Sequence, residues 1–108
     1  MALNKPALHI LLALGDEARH GYAIMQAIAA ESDGHLKILP GTLYSTLKRL
    51  VADGLIEEVD PPSTADSDDA RRRYYRVSKR GRSVAQAEMN RLAVLVKMGR
   101  VFLREARR

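Results

Sequence analysis

Small, hydroxyl-bearing and basic side chains share one face of a helix that is predicted to open at Pro40. They are Gly41, Thr42, Ser45, Lys48 and Arg49. Hydroxyls and long cations are the groups with which proteins contact phosphates and base edges, and a glycine lets the backbone approach a surface closely. The pattern therefore favours binding to a polyanion. A helix face that is only solvated is the alternative.

Residue types that serve catalysis or metal binding lack the spacing that such chemistry needs. No nucleophile is paired with a base, and neither a phosphate loop nor a pair of carboxylates for acid–base catalysis occurs. His9, His20 and His35 show no ligand spacing, and the chain contains no cysteine. The sequence predicts neither an enzyme nor a metal or cofactor site. We expect His9 in the core, and His20 either capping a helix or approaching a phosphate.

The charges of the chain are divided between its two parts. Residues 1–70 contain 5 Lys and Arg against 11 Asp and Glu, a net charge of −6, whereas residues 71–108 contain 13 against 2, a net charge of +11. The run Arg71, Arg72 and Arg73 begins the basic part. Such asymmetry is typical of a protein with a polyanionic partner, of which nucleic acid is the commonest. A basic tail with no specific partner is the alternative.

Length and composition limit the class of protein. The 108 residues, 46% of them hydrophobic, are enough for one domain with a modest core. No apolar run approaches the ~18 residues of a membrane span. The first apolar segment is followed by Asp16 and Glu17 and not by a cleavage site of small residues, which argues against a signal peptide. We expect a soluble cytoplasmic protein.

Hydrophobic periodicity and turn residues predict five elements before the C-terminal segment. Three are helices, at residues 6–14, 21–31 and 40–52, and two are strands, at residues 55–59 and 71–78. The apolar stripe of the third helix consists of Leu43, Leu47, Leu50 and Val51. Tyr44 lies on the flank of that stripe. Alternation in the second strand places Tyr75 in the core and Tyr74 on the outer face.

The segment from Ser78 to the end is predicted to be one helix of roughly 40 Å, with Ser78 as its N-cap. Apolar residues at alternating spacings of four and three form a coiled-coil-like seam along it. We expect this seam to pack against a second copy of the chain, because it is longer than one small core can cover. Folding back onto its own domain is the alternative. The chain is thus divided into a domain of residues 1–77 and a dimerisation helix of residues 78–108.

The order of the elements predicts a mainly α fold, a winged helix-turn-helix with three helices and a two-stranded wing, followed by the long helix. In this arrangement the third helix enters the major groove of DNA, and the basic strand flanks the groove as the wing. A dimer of such domains would bind double-stranded DNA at an inverted repeat. A winged helix that docks on a partner protein is the alternative function.

Three segments, in this order, resemble the PadR family of bacterial transcriptional regulators. They are HGYAI (20–24), PGTLYSTLKRLVADGLIEE (40–58) and RRRYYRVSKRG (71–81), and the resemblance spans residues 7–83. It implies a homodimeric winged-helix repressor whose C-terminal helix mediates dimerisation, often against the first helix of the partner. It also implies release from DNA by a small hydrophobic or aromatic effector.

The resemblance assigns roles to individual residues. Tyr22 matches a position near the phosphate backbone, and Ser45 stands where many members have proline. With the residues of the third helix and the arginine run, the predicted DNA-binding set is Tyr22, Gly41, Thr42, Tyr44, Ser45, Lys48, Arg49, Arg71, Arg72 and Arg73. The predicted dimerisation set is Leu8, Leu11, Leu12, Met89, Leu92, Leu95, Val96, Gly99, Phe102 and Leu103.

The loop between the two strands departs from a wing that contacts DNA along its whole length. Its carboxylates at Asp60, Asp66, Asp68 and Asp69 would be repelled by phosphates. We expect the loop tip to be mobile and held off the DNA, with the arginine-rich end in contact. The acidic tip favours the protein-interaction alternative, and the arginine run disfavours it.

Overall fold

The computed structural model describes residues 3–106, with side chains described as far as Arg104. Its elements, in chain order, are α1 (Lys5–Leu14), β1 (Arg19–His20), α2 (Gly21–Glu31), α3 (Pro40–Ala52), β2 (Ile56–Val59), a 3-10 turn (Asp69–Arg71), β3 (Tyr74–Val77) and α4 (Lys79–Ala106). The three predicted helices and the long helix are confirmed to within about a residue. The fold is the predicted winged helix-turn-helix.

Local sequence explains where the first helices begin and end. The Asn4 side chain caps α1 by accepting a hydrogen bond from the Ala7 N–H at 2.9 Å, and Pro6 follows within the first turn. Gly15 ends α1 with a positive φ of 56°, a conformation that favours glycine. α3 begins at Pro40 and has Asp53 as its C-cap residue, and Gly54 follows with φ 75°.

The sheet has three strands, and sequence periodicity predicts only two of them. β3 is central, with β1 and β2 antiparallel on either side. The missing strand β1 is two residues long and pairs His20 with Tyr74. β1 pairs with the edge of β3 opposite β2, and the His20 ring that it carries packs against the Tyr74 ring. The prediction that Tyr74 points outward is therefore wrong, since Tyr74 is 5% exposed and Tyr75 is 7% exposed.

The core lies between the three helices and the inner face of the sheet. Its fully buried side chains are Ile10, Leu14, Ile24, Ile28, Leu43, Leu47, Leu55 and Ile56. Leu50 completes the predicted stripe of α3 at 3% exposure, whereas Val51 is 40% exposed and the prediction for it is wrong. Val51 lies at the edge of the stripe, and it lines the cleft between α3 and the wing.

The start of α4 is fixed to the turn after α3. The Ser78 side chain accepts a hydrogen bond from the Gly81 N–H at 3.0 Å, which confirms the predicted N-cap. The same hydroxyl donates to the Gly54 carbonyl at 2.6 Å, and the Ser78 N–H donates to the Leu55 carbonyl at 3.1 Å. These bonds fix the start of the long helix against the turn that follows α3.

Only the first part of α4 packs on its own chain. Val84 and Ala85 pack against the core, and the Glu88 residue is 7% exposed beside Arg91, its salt-bridge partner. Beyond Arg91 the helix leaves the body, which gives the molecule extents of 61 × 28 × 24 Å. No helix within residues 3–106 is both long and apolar enough to cross a membrane.

Candidate nucleic-acid interface

A cleft of about 650 Å³ lies between the start of α2, the outer side of α3 and the base of the wing. Its walls bring together residues that are far apart in the sequence. The lining residues are His20, Gly21, Tyr22, Tyr44, Lys48, Val51, Glu58, Arg72, Arg73 and Tyr75. Three cations and two half-exposed tyrosines against one carboxylate make this cleft suited to an anion with a flat or extended shape.

Five of the ten predicted DNA-binding residues meet in this cleft: Tyr22, Tyr44, Lys48, Arg72 and Arg73. The other five lie outside it. Gly41, Thr42, Ser45 and Arg49 are exposed on α3, and Arg71 is exposed at the end of the 3-10 turn. The predicted set is therefore divided between the cleft and the exposed part of α3, with Arg71 apart from both on the 3-10 turn.

The outer face of α3 carries a smaller set of groups for contact with a groove. The Ser45 hydroxyl donates to the Thr42 carbonyl at 3.2 Å, so its oxygen is left as an acceptor. A Cβ at Gly41 would meet no heavy atom within 4 Å, which means that the backbone there is open to a ligand. Arg49 projects toward α1 and lines a depression with Asn4 and Asp53. Arg49 is thus on the flank of the face and not beside Lys48.

Gly21 determines how closely α2 and α3 approach each other at the cleft. A Cβ on Gly21 would lie 3.1 Å from Cε1 and 3.2 Å from the hydroxyl oxygen of Tyr44, and 3.3 Å from Cδ2 of Leu43. A side chain at this position would push the Tyr44 ring away from the first turn of α2. The glycine before Tyr22 therefore permits both tyrosines to line one cleft.

Arg72 is the most constrained arginine of the wing. Its Nε lies 3.4 Å from Oδ1 of Asp69, and its guanidinium carbon lies 5.5 Å from the centre of the Tyr22 ring, within the range of a cation–π interaction. Its Nη1 is 3.5 Å from Nδ1 of His20. The ion pair of Arg73 is looser, with its Nε 3.8 Å from Oε1 of Glu58.

His20 joins the wing to the start of α2. Its Nδ1 accepts a hydrogen bond from the Ala23 N–H at 3.1 Å, which confirms the predicted helix cap. Its ring packs edge-on against Tyr74, with ring centres 5.4 Å apart. Burial lowers the pKa of His20, the positive charge of Arg72 lowers it further, and Asp69 acts in the opposite direction. The neutral form is thus favoured, as its role as a hydrogen-bond acceptor requires.

Asp69 is a residue of this site that sequence reasoning assigned to the repelled loop tip. Its carboxylate lies 3.9 Å from Nε2 of His20 as well as beside Arg72. The Asp69 N–H donates to the Asp66 carboxylate at 2.8 Å, which orients the turn. The last aspartate of the loop therefore contacts two residues that line the cleft. Only the spacing Asp69-x-x-Arg72 could have indicated this contact in the sequence.

The residues predicted to mediate dimerisation are mostly exposed on α4. Met89, Leu95, Val96, Phe102 and Leu103 are between 40% and 67% exposed, and Leu92 and Gly99 are intermediate. On α1, Leu12 is 45% exposed and Leu8 is partly buried. Leu11 is 4% exposed, so its inclusion is wrong. It lies on the inner face of α1 and belongs to the core of its own chain.

Comparison with known proteins places the chain in a family. The family model "Transcriptional regulator PadR-like family" matches residues 10–87. The chain is 34% identical to transcriptional regulator Rv3488 of Mycobacterium tuberculosis over 90 residues, which cover 83% of this chain and 78% of that protein.

A second sequence relative and a solved structure extend the comparison. The chain is 35% identical over 102 residues to an uncharacterized 37.1 kDa protein in a transposon of Streptomyces fradiae, covering 94% of this chain but only 26% of that protein. The fold of this chain matches that of a PadR family transcription regulator from Clostridium difficile R20291. The TM-score is 0.76 and the identity 21%, over 93% of this chain and 99% of that one. The chain therefore belongs to the PadR-like family of transcriptional regulators, which bind DNA and are not enzymes.

Proposed function

We propose that this regulator binds an inverted-repeat operator in double-stranded DNA as a homodimer and acts as a repressor that a small apolar effector releases. The observation that carries the proposal is the cleft, which unites Tyr22, Tyr44, Lys48, Arg72 and Arg73 beside the exposed face of α3. In a winged helix-turn-helix that face enters the major groove, and the cleft would then hold the adjacent sugar–phosphate backbone.

The charges of the cleft indicate how affinity is divided. Lys48, Arg72 and Arg73 would contact phosphates, which supplies affinity without sequence information and makes binding strongly dependent on salt. Thr42 and Ser45 on the outer face of α3 would read base edges. The acceptor oxygen of Ser45 suits an exocyclic amino group of adenine or cytosine.

Dimerisation is supported by the uncovered apolar side of α4. Val94, Leu95, Met98, Phe102 and Leu103 are each between 48% and 67% exposed, a concentration that a soluble monomer rarely leaves in contact with water. A two-fold dimer through this side would present two copies of α3. They would reach successive major grooves about 34 Å apart, which sets the spacing of the half-sites.

DNA binding is tested by fluorescence anisotropy over a series of salt concentrations, with the DNA upstream of the protein's own gene and a scrambled duplex. We expect the native DNA to bind at least ~10³-fold tighter at physiological salt. Arg72→Ala/Arg73→Ala should weaken binding to both duplexes by on the order of 10-fold or more. It should also flatten the slope of log affinity against log salt by about 1 to 2.

The matched control is Arg100→Ala/Arg104→Ala, which removes the same charge from the exposed part of α4. It should change both affinities much less than the wing variant does. Equal and weak binding of the two duplexes by the wild-type protein would contradict sequence-specific regulation. An unchanged affinity in Arg72→Ala/Arg73→Ala would contradict the role of the wing.

An effector site is supported by an apolar cavity of about 230 Å³ beside the first turn of α3. Its apolar lining comes from Ile28, Leu36, Ile38 and Leu39, and its polar lining residues are Lys5, His9, Lys37 and Thr42. Leu39, the N-cap residue of α3, is 71% exposed. The volume lies below the ~300–1,000 Å³ of drug-sized sites, so the effector would be small. A bound effector would contact the segment of residues 32–39, which joins α2 to α3 and orients α3.

Release by an effector is tested with naphthalene-2-carboxylate as an aromatic probe added to the protein–operator complex. We expect the anisotropy of the DNA to fall as the probe is added to the wild-type complex. Leu39→Gln, which makes the cavity polar, should bind DNA but resist release. The same response in Leu39→Gln and the wild type, or no release in either, would rule out this cavity as the effector site.

A further inference from the structure

We propose that Asp69 is a positioning residue: its carboxylate holds the Arg72 guanidinium against the Tyr22 ring, so that the wing presents one pre-oriented cation to a DNA phosphate. The proposal deepens the DNA-binding function and rests on it. It concerns an acidic residue that electrostatics alone would assign to repulsion.

The geometry around Arg72 carries the proposal. The Asp69 carboxylate approaches the Nε edge of the guanidinium at 3.4 Å, and the Tyr22 ring covers one face at 5.5 Å. His20 lies 3.5 Å from Nη1. These three groups surround the guanidinium on different sides, and Arg72 still lines the cleft. The side chain is therefore fixed and open to a phosphate at the same time.

Comparison with the adjacent Arg73 and Asp68 shows that only the pair Asp69–Arg72 has this arrangement. The Arg73 side chain is 78% exposed against 43% for Arg72, and its closest carboxylate is 3.8 Å away. Asp68 precedes the 3-10 turn and makes no side-chain capping bond. Asp66 orients the Asp69 backbone through its own carboxylate at 2.8 Å. The turn therefore directs the carboxylate of Asp69, and not that of Asp68, toward Arg72.

Two opposing effects of Asp69 on DNA binding differ in range. Its negative charge repels phosphates, but over a Debye length of about 8 Å this repulsion is shared by every carboxylate of the loop. Asp69 can orient the Arg72 side chain only by direct contact. That contact already restricts the rotamers of Arg72, so DNA binding loses less conformational entropy. Asp68→Asn removes the same charge one residue away and does not touch Arg72. Removal of either charge alone should tighten binding, and more so for Asp69 beside Arg72. Weaker binding by Asp69→Asn than by Asp68→Asn would therefore come from lost orientation.

The experiment compares Asp69→Asn with Asp68→Asn for affinity to the upstream DNA at fixed salt. Both variants should keep the wild-type far-UV circular dichroism spectrum and melting temperature within a few degrees. We expect Asp69→Asn to bind about 3- to 10-fold more weakly than Asp68→Asn, the factor for ordering one long side chain. In an Arg72→Ala background the two asparagine substitutions should have equal effects, because only the shared change of charge is left.

A readout without DNA follows the Arg72 Nε–H by NMR. We expect its exchange with water to be faster in Asp69→Asn than in Asp68→Asn, because only Asp69 lies beside that N–H. Equal affinities of the two variants, tighter binding by Asp69→Asn, or a loss that persists in the Arg72→Ala background would overturn the proposal. A wild-type protein that fails to bind its upstream DNA while this exchange difference is observed would refute the DNA-binding function and leave the contact itself established.

Discussion

Replacing Gly81 by alanine should lower the free energy of unfolding by about 2–3 kcal/mol, which for a chain of this size corresponds to a fall of about 10–20 °C in melting temperature. A Cβ built at Gly81 lies 1.9 Å from the carbonyl oxygen and 2.9 Å from the carbonyl carbon of Leu55, and 3.0 Å from Cγ1 of Val77. A rotamer change cannot relieve contact with a backbone carbonyl. The start of α4 must therefore move away from the turn after α3.

The loss exceeds the opposing gain in helix propensity. Alanine in place of glycine within a helix stabilises by about 1 kcal/mol, so the steric cost must be larger for the net effect to be destabilising. Moving α4 also breaks the Ser78 bonds to Gly54 and Gly81, which leaves polar groups of the helix start without partners.

Thermal unfolding followed by circular dichroism at 222 nm measures the effect. Gly41→Ala is the matched control, because a Cβ there meets no heavy atom within 4 Å, and its melting temperature should be unchanged or slightly higher. A Gly81→Ala protein with the melting temperature of the wild type would show that the close packing of α4 on Leu55 is not present in solution.

The helices and the exposed side of α3 follow from local sequence, and this explains why they were predictable. The i, i+4, i+7 spacing of Leu43, Leu47 and Leu50 identifies the inner side of α3 and, by difference, its outer side. Pro40 and Gly54 mark the ends of the same helix. Such signals depend on neighbours within a few residues, so no knowledge of the tertiary fold is needed.

Features that depend on distant parts of the chain were not predictable in the same way. β1 contains only Arg19 and His20, too short for any periodicity, and it exists because β3 offers a free edge. The His20 ring of that extra strand packs on Tyr74, so Tyr74 and Tyr75 are both buried and the alternation expected for a two-stranded wing is lost. Leu11 is an apolar residue of the kind found at dimer interfaces, but the packing of α1 against α2 and α3 places it in the core.

The candidate site shows the same division. Residue type and family resemblance identify Tyr22, Tyr44, Lys48 and Arg72 individually, and the fold alone reveals that they share one cleft. The contact of Asp69 with Arg72 could not be derived from charge, because a carboxylate near phosphates is expected to point away. The 3-10 turn at Asp69–Arg71 reverses this expectation by fixing where the last residue of the acidic loop faces.

Converting the apolar side of α4 to a charged one should separate the dimer into monomers. Leu95 and Phe102 lie seven residues apart on that side and are 48% and 67% exposed in the single chain. Leu95→Glu/Phe102→Glu therefore removes little from the core of the chain, and its melting behaviour should retain a folded domain. In a dimer the four new carboxylates would be brought together in an apolar contact, which is strongly unfavourable.

The mass in solution and the affinity for an inverted repeat should change together in Leu95→Glu/Phe102→Glu. Sedimentation should give the mass of two chains for the wild type and of one chain for the variant. Affinity for the two-site DNA should fall by at least ~10²-fold, because the second half-site is no longer bound at high effective concentration, while affinity for a single half-site should change little.

Asn90→Glu/Arg100→Gln lowers the net charge by the same amount on the polar side of α4, and it should remain dimeric. A variant that stays dimeric, or a wild type that sediments as one chain, would refute dimerisation through this side of α4. If the variant sediments as one chain and also loses affinity for the two-site DNA, the contact between the two α4 helices determines the separation of the two α3 helices.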